Sequence, residues 1–193
     1  MHVISRGAGL AGAALFLASG LSAQYAHRHQ GIFASFGAGF GTAKVSCDNC
    51  GDVSRAGDLT GFLEIGGALS RSILLGVEVA GWSKVTSGND NRAAGTVNGV
   101  AVWYPSTEEG FFLKGGAGFG YLHGDQALSD GRIIFLDKGG VGYQLGLGYD
   151  LRIQRDLSVT ALVNFYGGNV GDIGALRSVK FNVLQFMAAV TFH

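Results

Sequence analysis

Proline, charge and cysteine are all scarce in this sequence. The single proline, Pro105, and the lack of any G-X-Y period exclude collagen and proline-rich disorder. Charged residues make up 15%, where an ordinary soluble domain carries about 25%. The 14 basic and 14 acidic residues cancel and form no basic run, which argues against a nucleic-acid partner held by phosphate neutralisation. Beyond the N-terminus no apolar run reaches the ~18 residues that a membrane-crossing helix needs. What is plentiful is glycine: 34 residues of 193, against a usual share of about 7%. A glycine-rich, charge-poor chain of this length fits one small β domain.

The N-terminus is built as an export signal. Met1 to Arg6 supplies a short basic n-region, and Gly7 to Ala18 (GAGLAGAALFLA) an apolar h-region of matching length. Small residues follow, and cleavage is expected after Ala23, giving a signal peptide at 1–23 and a mature domain at 24–193. Such an Ala- and Gly-rich segment is poor material for a buried core helix. No cysteine adjoins the cut, so nothing supports a lipoprotein anchor.

The mature chain alternates apolar and non-apolar positions in eight stretches: 31–44, 58–69, 73–85, 96–104, 111–123, 140–152, 157–167 and 182–193. Period-2 alternation of this length is a strand signal, and a bilayer-crossing strand needs ~9–11 residues. In the sixth stretch Val141, Tyr143, Leu145, Leu147, Tyr149 and Leu151 oppose Gly142, Gln144, Gly146, Gly148, Asp150 and Arg152. In the fourth, Val100 and Val102 compete with Ala101 and Trp103 for the apolar face. Long polar connections (45–57, 86–95, 124–139, 168–181) alternate with short ones (70–72, 105–110, 153–156). That order predicts an all-β, eight-stranded antiparallel up-and-down transmembrane β-barrel, closed so that no backbone edge meets lipid. Glycines on the charged face, such as Gly37, Gly116 and Gly148, make room inside a barrel this narrow.

The signal segment, the eight alternating strands, the loop order and the terminal strand VLQFMAAVTFH together resemble the small eight-stranded outer-membrane barrel proteins. That superfamily includes the OmpA membrane domain, OmpX and OmpW. The resemblance covers nearly all of 31–193 and is one of pattern. It implies the bacterial outer membrane as location, its lipids as surroundings, and the barrel assembly machinery as a partner in biogenesis. Such proteins end in an aromatic residue read by that machinery, whereas here Phe192 is penultimate and His193 is last. A monomer is expected.

Five ionisable residues fall on the inward face: Glu64, Glu78, Lys114, Asp150 and Arg152. Glu64 and Glu78 lie at similar height on adjacent strands and repel unless a cation intervenes. Lys114 is the expected partner, with Arg152 nearer the turn and Asp150 shared. The cluster reads as a structural plug of ion pairs; a gated ion path and acid–base catalysis by the glutamates are the alternatives. Cys47-Asp-Asn-Cys50 in the first long connection reads as a disulfide after export, against a redox pair or half a metal site. His123, beside Asp125 at the end of a strand, reads as a surface residue. No catalytic, cofactor-binding or metal-binding set is expected.

These residues point to a non-enzymatic barrel with a structural or surface-interaction role in the envelope. The alternatives are a small channel or transporter for ions or hydrophobic solutes, and a lipid-modifying membrane enzyme. A soluble ligand-binding barrel would put its apolar face inside, against the pattern found.

Overall fold

The computed structural model describes residues 31–51, 54–86, 90–127 and 133–193. The expected signal peptide at 1–23 and the segment 24–30, with His27 and His29, lie outside the described residues. The described chain forms β1 (Ile32–Ser46), β2 (Ala56–Ala68), β3 (Ile73–Thr86), β4 (Asp90–Trp103), β5 (Phe111–Ala127), β6 (Ile133–Gln154), β7 (Leu157–Ile173) and β8 (Leu176–Phe192). Every neighbour pair is antiparallel, and β1 pairs with β8 to close the barrel.

Alternation decides which face is which. Along β1, Phe36 and Phe40 are exposed on the outer wall while Phe33 and Ser35 are buried within. The ambiguity in β4 resolves with Val100 and Val102 inward and Trp103 outward. Phe111 and Tyr121 on the outer face of β5 are ten residue steps apart, about 25 Å of height at ~3.3 Å per residue and ~40° tilt. Exposed Trp103, Phe111, Tyr149 and Phe192 ring the short-turn end, and Phe40, Phe119 and Tyr121 ring the other. Between the two rings the outward positions carry no charged residue. Such a wall is stable against hydrocarbon and not against water.

At the short-turn end the backbone is capped by local bonds. Ser70 Oγ accepts from the amides of Ser72 (3.3 Å) and Ile73 (3.1 Å) between β2 and β3. Pro105 sits between β4 and β5, where its missing amide hydrogen costs no ladder bond.

The other end departs from the expected long connections. The strands run on past the apolar belt, leaving only 47–55, 87–89, 128–132 and 174–175 as links. The reason is physical: above the lipid the outer face meets water while Val170, Ile173 and Val179 stay buried inside, so the ladder continues without outward apolar side chains and still satisfies its own amides and carbonyls. Between β7 and β8 the turn shrinks to Gly174–Ala175, with Ile173 paired to Leu176. The left-handed φ of +57° at Gly174 is what so tight a hairpin demands.

Candidate functional site

The lumen is filled from end to end by layers of inward side chains. At the short-turn end lies Asp150, buried at 2% exposure. The Tyr104 hydroxyl donates to its Oδ2 at 2.7 Å, and the Thr160 hydroxyl donates to its Oδ1. Arg152, two residues further along the same inward face, is also buried. Next come the hydroxyls of Ser35 and Thr191, 2.9 Å apart. Above them a cavity of about 20 Å³ is bounded by Ser35, Tyr104, Thr160, Thr191, Glu64 and Lys114, among others. That volume holds one water molecule.

At mid-height Glu64 and Glu78 are register partners across β2 and β3. Lys114 reaches both from β5, with Nζ 2.9 Å from Glu64 Oε2 and 2.5 Å from Glu78 Oε2. The ammonium also stands 4.7 Å from the centre of the Phe62 ring. All three side chains are at most 3% exposed. Breaking so buried a pairing by removing one partner costs several kcal/mol, although forming it yields little net stability. Above lie the carboxamides. Asn98 Nδ2 donates to Gln144 Oε1 at 2.7 Å, Asn164 Nδ2 donates to Gln185 Oε1 at 3.2 Å, and Gln185 Nε2 donates to Thr60 Oγ1.

The rim-side end of the lumen is sealed by aromatics. Trp82 Nε1 donates to the Gly41 carbonyl at 3.1 Å, and the Tyr166 hydroxyl donates to the Ala94 carbonyl at 3.0 Å. Phe181 fills the space beside them at 1% exposure. Glycine permits this packing: a Cβ on Gly148 would stand 2.4 Å from Phe112 Cζ, and one on Gly37 2.6 Å from Phe62 Cε1.

The sequence-derived set is therefore divided in two. Glu64, Glu78 and Lys114 form one contact group, while Asp150 and Arg152 lie nearer the turn on the inward face of β6. Asp150 takes its hydrogen bonds from Tyr104 and Thr160. Sequence reasoning passed over Tyr104, the carboxamide layer and the Trp82–Tyr166 seal. Each of these lies on the inward parity of its strand, so counting polar and aromatic side chains on that face would have found them.

The outer rim carries a second arrangement. Cys47 and Cys50 are joined, with Cα atoms 5.3 Å apart, and Asn49 between them clasps the β7–β8 hairpin. Asn49 Nδ2 donates to the Ala175 carbonyl at 2.8 Å, and Asn49 Oδ1 accepts from the Arg177 amide at 2.9 Å. The Asp48 amide adds a bond to the Arg177 carbonyl at 3.0 Å. On the outer wall above the aromatic ring, His123 is a surface residue whose partner is Asp137. The two are opposite each other across β5 and β6, with His123 Nδ1 2.5 Å from Asp137 Oδ1. The Tyr121 hydroxyl donates to the same oxygen at 2.7 Å. The bond to His123, then the one to Tyr121, hold the Asp137 carboxyl below its ordinary range.

No protein-family model and no curated protein matches the sequence. Solved structures do match in fold. Neisserial surface protein A superposes with a TM-score of 0.59 at 14% identity, covering 84% of this chain and 97% of that one. Ail, the attachment invasion locus protein of Yersinia pestis, gives 0.59 at 15% identity, covering 84% of this chain and 99% of that one. The chain shares their small closed barrel, the fold of bacterial outer-membrane proteins.

Proposed function

We propose that this chain is a non-enzymatic protein of the bacterial outer membrane, a closed barrel that holds a structured rim above the lipid for surface interactions. One observation carries this reading: the wall is divided, with an uncharged apolar face outward and a lumen packed with polar and aromatic side chains inward. The apolar belt is solvated by outer-membrane lipid. The filled lumen makes the cylinder rigid and denies bulk solute a path, so the parts left to meet a partner are those at the rim. The names of the neighbours, a surface protein and an attachment invasion locus protein, accord with such a role. The barrel works as a monomer, and its terminal strand, ending in Phe192 and His193, is the segment that the assembly machinery reads.

The reading is tested in intact cells. Cys47 and Cys50 are the chain's only cysteines, so a membrane-impermeant maleimide applied after mild reduction reports the rim alone. Labelling at full stoichiometry, in a band with heat-modifiable gel mobility, supports the proposal. Recovery of the protein in the soluble periplasmic fraction, or labelling only after the outer membrane is breached, overturns it.

A further inference from the structure

Above the lipid, three outward cations gather on neighbouring strands. Lys44 on β1 has the outward parity of Phe36 and Phe40, and Lys180 on β8 that of Phe186 and Phe192. Their register partners are Asn182 and Ser46, which makes the two lysines diagonal neighbours across the β1–β8 ladder. Arg55, one residue before β2, lays its guanidinium over the same face. Its Nη1 donates to the Thr42 carbonyl at 2.8 Å and to Thr42 Oγ1 at 3.3 Å, and its Nη2 donates to Asn182 Oδ1. These acceptors are neutral, so the positive charge is positioned without being cancelled, and the guanidinium keeps N–H donors to spare. Lys180 has no ion-pair partner among the described residues. Neither β1 nor β8 contains an acid, and Asp58 on β2 has the inward parity of Thr60 and Glu64. The acid of the outer wall, Asp137, is on β6, away from this face.

Below the cations runs an apolar row. Phe40 faces Phe186 across β1–β8 and Leu59 across β1–β2, and the three are 53%, 54% and 72% exposed. Lys44 is four residues above Phe40, about 10 Å along the barrel axis, which puts the cations in the polar layer flanking the hydrocarbon. A ligand that satisfies both rows is an anionic amphiphile. From β8 to β2 the patch is two strand spacings wide, about 10 Å, more than a single phosphate group bridges. We propose that the β8–β1–β2 face binds a lipid of the outer leaflet that carries two phosphates on a sugar headgroup, the chemistry of lipopolysaccharide. The phosphates meet Lys44, Arg55 and Lys180, and the acyl chains lie along Phe186, Phe40 and Leu59. This inference rests on the reading of the rim as the side that faces out of the cell.

The test uses the refolded full-length mature protein in zwitterionic detergent micelles. It is titrated with lipid A bearing both phosphates and with the same lipid after both are removed, and bound lipid is counted by native mass spectrometry. The wild-type protein is expected to retain the phosphorylated form far more tightly. Arg55→Gln combined with Lys180→Gln should weaken that binding about thirtyfold, the usual weight of two cations near an anionic headgroup. Binding of the dephosphorylated lipid should not change. Arg155→Gln, in the turn at the other end of the barrel, should leave both unaltered. Equal affinity of the wild-type protein for the two lipids would overturn the proposal, and that result needs no variant to fold. Unchanged binding in the double variant would do the same, as would equal retention of phosphatidylglycerol, which brings one phosphate. An equal loss on Arg155→Gln would make net charge the cause and also overturn it. Orientation plays no part in a micelle, so failure here is distinct from failure of the rim-out reading, which the maleimide labelling in cells decides.

Discussion

Glu64 and Glu78 stand directly opposite each other across the β2–β3 ladder, and the Lys114 ammonium is bonded to both. Lys114→Met removes that ammonium and keeps most of the side chain's volume. It is expected to cost about 3–5 kcal/mol, the usual penalty for orphaning a buried partner. Adding Glu78→Gln should recover part of this loss, a coupling visible as non-additivity in urea unfolding from lipid vesicles. Strict additivity of the two changes would show that the residues act independently.

Gly148 and Phe112 make the same point by shape. A methyl group at Gly148 would sit 2.4 Å from Phe112 Cζ and 2.8 Å from the Ala161 carbonyl. Gly148→Ala is therefore expected to destabilise the barrel by about 1–3 kcal/mol through overpacking. Phe112→Leu in the same chain should give part of it back. A neutral Gly148→Ala would mean that the lumen is looser than its packing indicates.

The rim clasp predicts a local effect. Asn49→Ala removes one hydrogen bond to the Ala175 carbonyl and one from the Arg177 amide. These bonds are exposed, so the cost is about 0.5–1.5 kcal/mol in all. Hydrogen exchange at the Arg177 amide should quicken while the β5–β6 ladder keeps its protection. Reducing Cys47–Cys50 should act in the same direction, since the short closed loop adds little to global stability.

The His123–Asp137 pair sets a pH dependence at the rim. Asp137 is held below its ordinary range by its bonds to His123 and Tyr121. Its value is lower folded than unfolded, so its contribution is present above the unfolded value near 3.9 and fades as pH falls through the lower folded value. His123→Phe should move the Asp137 carboxyl upward towards an ordinary aspartate, as read by NMR titration. An unmoved Asp137 would place the cause elsewhere.

Much of this architecture was legible in the residues. The parity of Val141 to Leu151 and of Phe36 to Phe40 fixed which face meets lipid, because a strand's side chains alternate strictly and a charge facing hydrocarbon is costly. The same parity put Glu64, Glu78, Lys114, Asp150 and Arg152 on the inward face. The division of that set was not legible, because which acid Lys114 reaches depends on barrel stagger and on where Tyr104 and Thr160 place their hydroxyls. Nor was the rim: at 168–173 the register shifts about Gly171, so buried Val170 and Ile173 fall off the period-2 order that the sequence pattern reads. His123 illustrates this, since the residue near it in sequence is Asp125 while its partner across the ladder is Asp137.

A barrel closed along its length passes no steady current, which single-channel recording in planar bilayers measures. The refolded wild-type protein is expected to insert without steady conductance, because the Lys114 trio, the carboxamide layer and the Trp82–Tyr166–Phe181 seal lie in series. Lys114→Met should remain silent while losing stability. A steady ion current through the wild-type protein, or one opened by Lys114→Met at unchanged stability, would contradict the account and make the charge cluster a gate.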